Sequence, residues 1–155
     1  MVTRSEQLQN VFRLYEQEHE HMPASARQAC EWGVEKRLLE LPKVDRYDLL
    51  ANEMSRALRD QYATDEKGRR YRINHAVRVT KHGVQMTFWA IMGFAARNHM
   101  QMAFTQRRNQ IVGDCLQLKT DVDVYNELKK SGEPIQLVLD FSDDVAEREY
   151  WSEAA

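Results

Sequence analysis

The spacing of apolar residues changes twice along this chain, and those two changes fix the order of elements it can form. Up to Tyr62 apolar side chains recur every three or four positions; from Arg70 to Met92 they alternate; from Ala96 to Ser131 the helical spacing returns. Thr3 and Glu6 make a capping box that opens a first helix carrying Leu8, Val11, Phe12, Tyr15, His19 and Met22 on one side, stopped by Pro23. A second helix over residues 25–41 aligns Ala26, Ala29, Cys30, Val34, Leu38 and Leu41, and Pro42 ends it. Asp45 caps a third over 46–63, with Tyr47, Leu50, Met54, Ala57, Leu58 and Tyr62 expected to point inward. Three amphipathic helices with short joints predict a small bundle.

The turn sequence Thr-Asp-Glu-Lys-Gly introduces the alternating stretch. One face of the predicted strand is Tyr71, Ile73, His75, Val77 and Val79; the other is Arg70, Arg72, Asn74, Ala76, Arg78 and Thr80. Lys81, His82 and Gly83 form the tip of a hairpin, and Val84 to Met92 return, with Gln85, Thr87 and Trp89 on the face of the arginines. The helix over 96–131 then carries a seam of Phe104, Ile111, Cys115, Leu118, Val122 and Tyr125, whose steps suit packing against another helix. Gly113 interrupts it, and Gly132 and Pro134 end it. Ile135, Leu137, Leu139 and Phe141 alternate as a third strand, after which Ser142 caps a short acidic helix. The fold expected is α+β: three N-terminal helices, an antiparallel β-hairpin, a long α-helix, a third short strand and a C-terminal helix. A chain of 155 residues, 43% of them apolar, suits one domain over 1–155, helical through 65, with hairpin, long helix, strand and short helix after it.

No run reaches the roughly 18 to 20 apolar residues of a membrane span, and the first ten residues offer no apolar stretch for a signal peptide, so the expectation is a cytoplasmic protein with no membrane partner. Cys30 and Cys115 have no second cysteine or histidine at metal-ligand spacing; both are expected as small buried hydrophobes, with no zinc site and no disulfide.

Charge is segregated. Residues 1–65 carry nine Lys and Arg against twelve Asp and Glu; 66–108 carry nine against one, net +8; 109–155 carry four against eleven, net -7. The 42 residues of 67–108 contain no acid at all. A carboxylate beside a phosphate path pairs with the arginines and repels the ligand, so an acid-free, arginine-rich, partly aromatic hairpin has the chemistry of a ribbon that follows phosphates. The nucleic-acid-binding residues expected are Arg70, Arg72, Arg78 and Lys81, with Trp89 for stacking and Arg107 and Arg108 widening the footprint. DNA is preferred over RNA as the partner. The competing expectation is that these arginines neutralise acids folded over them from the two ends, in surface pairs worth about 0–1 kcal/mol each.

Other readings rest on fewer residues. The third helix, with Arg46, Arg56 and Arg59 outward, would be a reading helix in a helix-turn-helix followed by a wing, but its joint lacks the glycine turn and Asp48, Glu53 and Asp60 share its surface. Glu16 and His19 stand at metal-site spacing without the second pair such sites need, and His75 fits a hydrogen-bonded core histidine. An adaptor would use the seam of Phe104, Ile111, Leu118 and Tyr125, which also predicts a homodimer, with the acidic C-terminal tail docking on a basic partner. A metal-dependent nuclease would draw on Asp140, Asp143 and Asp144, although capping and the helix dipole explain acids at a helix start without chemistry. With no phosphate-cradling glycine loop, serine elbow or Cys/His pair, the sequence assigns no catalytic residue, no cofactor and no metal ligand.

Overall fold

The computed structural model describes residues 1–154 and contains five helices and four strands: α1 (Arg4–Glu18), α2 (Ala26–Glu35), α3 (Arg46–Arg59), β1 (Tyr62–Thr64), β2 (Arg70–Arg72), β3 (Asn74–Lys81), β4 (Val84–Ile91), α4 (Arg97–Leu128) and α5 (Ser142–Ala154). This is an α+β fold. Its contacts divide it into two compact units, Met1–Ala51 and the chain from Asn52 onward.

In the first unit, the capping box forms as the sequence predicts: the Glu6 amide donates to Thr3 Oγ1 at 3.1 Å and the Thr3 amide to Glu6 Oε2 at 2.7 Å. Ser25 and Gln28 repeat the motif at α2. The two helices meet through Val11 and Tyr15 of α1 and Ala29 and Gly33 of α2, with Leu39 closing the contact. Gly33 is what lets them approach, since a Cβ there would lie 2.8 Å from Val11 Cγ1 and 2.9 Å from Leu39 Cδ1. Cys30, on the next face of α2, is exposed and Cys115 half-buried, so neither is the buried hydrophobe expected.

α3 forms close to the predicted span but buries no residue, and Tyr47, the first member of its expected inner face, is 84% exposed. Periodicity says which side chains share a face; it does not say that anything arrives to cover them.

The single strand expected over 70–80 is in fact two. β2 pairs with β1 in the register Tyr62↔Arg72, Ala63↔Tyr71 and Thr64↔Arg70, while β3 pairs with β4 from Asn74↔Ile91 to Lys81↔Val84. Ile73 is the joint: its amide donates to the Gln61 carbonyl, and its carbonyl accepts from the Met92 amide. Beside it Asn74 is buried and donates from Nδ2 to the Leu58 carbonyl (3.1 Å) and to Gln61 Oε1 (2.8 Å), tying the end of α3 to the start of β3. The β3–β4 turn is a two-residue loop with positive φ at both His82 and Gly83, the pattern that matches strand twist.

α4 packs its first turns along β3. Ala103, wholly buried, allows the close approach, and His75 and Val77 fill the strand side. Gln106 fixes the alignment by offering Nε2 to the Arg78 carbonyl and Oε1 to the Arg78 amide, both at 2.9 Å. A side-chain amide thus takes the place of a neighbouring strand along the outer edge of β3. The same device recurs twenty residues on, where Asn126 holds the Ile135 amide (3.0 Å) and carbonyl (2.9 Å). The third strand predicted at 135–141 is accordingly absent: its backbone is irregular and docks on α4, with no strand beside it. The long helix therefore does not lie between two strands of one sheet.

Candidate anion-binding groove

The pairing of β3 with β4 settles which side chains share a face. Arg78 stands opposite Thr87 and Ala76 opposite Trp89, so the arginine face of β3 and the tryptophan face of β4 are one surface, as alternation predicts. Three elements wall it. Arg59 comes from the last turn of α3, Arg72 from the end of β2, and Gln106, Arg107, Asn109 and Gln110 from the first half of α4. They enclose an open groove of about 460 Å³, floored by His75, Ala76, Thr87 and Trp89.

Its electrostatics are one-signed. Arg59, Arg72, Arg78 and Arg107 line it, and no Asp or Glu does. Among the described residues four Lys or Arg ion pairs form, and Arg69 is the one member of the acid-free run that takes part. Arg69 pairs with Asp65 at 2.7 Å across the β1–β2 loop, and its guanidinium holds the Asp65 carboxyl below the ordinary carboxylate range. The neutralisation of the central arginines by acids from the chain's two ends, the main competing expectation, is therefore not found among the described residues. Arg59 instead lies over the Trp89 ring, 5.6 Å from its centroid, a contact that orients the guanidinium without cancelling its charge.

Under the groove His75 is 3% exposed. Its Nε2–H donates to the Arg72 carbonyl at 2.8 Å, Phe104 packs edge-on at 5.3 Å, and Nδ1 has no hydrogen-bond partner. Burial pushes its pKa below the ordinary histidine value, and the guanidinium groups of Arg107 and Arg72 push the same way. Both effects favour the neutral imidazole, in which Nδ1 is a bare acceptor. It has the buried, hydrogen-bonded setting expected of a core histidine, and it also lines the groove.

Of the residues singled out from the sequence, Arg72, Arg78, Trp89 and Arg107 converge here, while Arg70, Lys81 and Arg108 do not line the groove. Arg70 belongs to the separate β1–β2 hairpin and lies 4.0 Å over the Tyr62 ring. Lys81 sits at the tip of β3–β4, and Arg108 projects from α4 a hundred degrees round from Arg107. Sequence reasoning missed Arg59, which it placed on a reading helix, and the amides of Gln106, Asn109 and Gln110. The signal for the latter was present in Thr-Gln-Arg-Arg-Asn-Gln, where i, i+3 and i+4 spacing puts Gln106, Asn109 and Gln110 on one side.

The acidic C-terminal region is arranged differently. Asp140 accepts the Ser142 amide at 3.1 Å, which holds its carboxyl below the usual range and uses it to start α5. Among the described residues no three His, Cys, Asp or Glu side chains come together as a metal site would require, and no helix is long and apolar enough to cross a membrane. No protein-family model, curated protein or solved structure matches the chain.

Proposed function

We propose that this protein is a non-catalytic nucleic-acid-binding protein that holds phosphates in the groove between β3, β4 and α4. What supports the reading is one observation: four arginines from four elements line a concave surface that contains no acid and leaves each guanidinium without an ion-pair partner among the described residues. Evenly spread surface charge pairs off; four cations held together unpaired repel one another, a cost that an anionic ligand offsets. Guanidinium forks grip phosphate oxygens bidentately, and the amides of Asn109 and Gln110 add neutral donors beside them. DNA is the partner proposed first. Contacts of this kind position a backbone and carry no base preference.

The test is the salt dependence of binding to single- and double-stranded DNA and RNA. Four phosphate contacts predict a slope of log affinity against log salt near -3.6 on duplex, from about 0.9 per contact. Arg72→Ala with Arg78→Ala should flatten it by about two, and Arg59→Ala or Arg107→Ala by about one each. Lys81→Ala, at the hairpin tip, should change it least. A slope unmoved by the Arg72 and Arg78 replacements refutes the groove as the phosphate site.

A further inference from the structure

We propose that two copies of this chain form an obligate homodimer through the second half of α4, with Ile111, Leu118 and Tyr125 of each copy buried against the same stripe of the other.

The chain exposes 14049 Å². A globular protein of 18.3 kDa exposes about 8,100 Å². Counted as two separately folded units of 51 and 104 residues it would expose about 9,700 Å², about 4,000 Å² less than it does. Obligate homodimers remove on the order of 1,000–2,500 Å² from each copy. The excess is large enough to accommodate an interface of that class.

Much of the apolar surface of α4 lies beyond the groove and is regularly spaced. α4 runs 32 residues, about 48 Å, but its one fully buried residue is Ala103, near its start. Beyond the groove the helix carries Ile111, Cys115, Leu118, Val122 and Tyr125 at steps of four, three, four and three, within about 80° of arc. The segment after residue 134 covers one flank through Asn126, leaving Ile111 57%, Leu118 43% and Tyr125 51% exposed. Phe104, which the spacing puts at the head of this stripe, packs edge-on against His75 and is itself 47% exposed.

A second copy of the chain suits this stripe as its occupant. The stripe contains no charged residue, and heptad-spaced knobs fit the holes of a like helix. A two-fold pairing buries the same surface twice, which removes apolar area from both molecules at once. No interaction with nucleic acid is needed for it.

Light scattering on the full chain, without nucleic acid, should give about 37 kDa at micromolar concentration, twice the 18.3 kDa of one chain. A benzophenone amino acid placed at Leu118 should yield a photo-linked dimer; placed at Thr120, on the opposite side of α4, it should not. Leu118→Asp should weaken association at least about a hundredfold, or lose dimer and helicity together if the lone chain cannot stay folded. A fully helical species of 18.3 kDa at tens of micromolar overturns the proposal. So does a dimer that links equally from both positions or is indifferent to Leu118→Asp.

Discussion

His75 shows how one residue serves both fold and surface. Its Nε2–H is committed to the Arg72 carbonyl, its ring is covered by Phe104, and its position beneath Arg72 and Arg107 disfavours a further positive charge. Because its folded pKa lies below the unfolded value of 6.5, the unfolded chain binds more protons as pH falls through that value, and stability drops with it. Urea denaturation at pH 7.5 and 5.5 should show this loss, and His75→Gln should show less of it; an equal loss in the variant would assign the pH dependence elsewhere. Gln110 allows a complementary experiment on charge. It lines the groove, and its isostere Gln110→Glu places a carboxylate among the four arginines. Affinity for an oligonucleotide at low salt should fall about tenfold, comparable to losing one phosphate contact, with little change in thermal stability. The alternation of residues 74–81 made Arg78 and Trp89 readable as neighbours, whereas Arg59 became one only when the end of α3 met the sheet.

At the scale of elements, the recurring device is an amide side chain on α4 that pairs with extended backbone. Gln106 satisfies the amide and carbonyl of Arg78, and Asn126 those of Ile135. The first blunts an edge strand that would otherwise offer its groups to any passing strand. Gln106→Ala should lower unfolding free energy by about 1–2 kcal/mol, from two hydrogen bonds, measured as a shift in urea midpoint. No change would mean that water replaces the amide at no cost. The second device explains why Ile135, Leu137, Leu139 and Phe141 alternate like a strand without forming one. Alternation reports a two-sided environment, and a segment lying on a helix has one as surely as a segment lying in a sheet. The break at Ile73 was equally invisible, because β2 and β3 share an unbroken alternation and differ only in which strand lies beside them.

For the molecule as a whole, exposed area is the quantity that most constrains its behaviour. Among the described residues only Val11, Tyr15, Ala29, Leu39, Val77 and Ala103 are buried apolar side chains, a small core to offset the chain's conformational entropy. If two copies share the α4 stripe, folding and association are one equilibrium, and thermal stability depends on concentration. Each tenfold increase in protein should add about 1.4 kcal/mol per dimer and raise the melting temperature by a few degrees. A midpoint constant across two decades of concentration would identify a folded monomer. Because α4 carries both the groove wall and the stripe on one rigid helix, such a dimer would present two grooves at a fixed separation, and long polyanions would gain from holding both.

Periodicity, capping and charge order along the chain determined the helices, the β3–β4 hairpin with its tight turn, the long α4 and an arginine-rich surface free of acids. These are local properties, written in spacings of two to four residues and in which side chains occur together. Tertiary structure decided which strands pair, that residues 135–141 dock on a helix, that α3 buries none of its apolar face, and that Arg59 joins the groove while Arg70 does not. Such outcomes depend on which distant surface arrives at a given face, and the energy that selects it belongs to the contact between two segments, a quantity that neither contains alone.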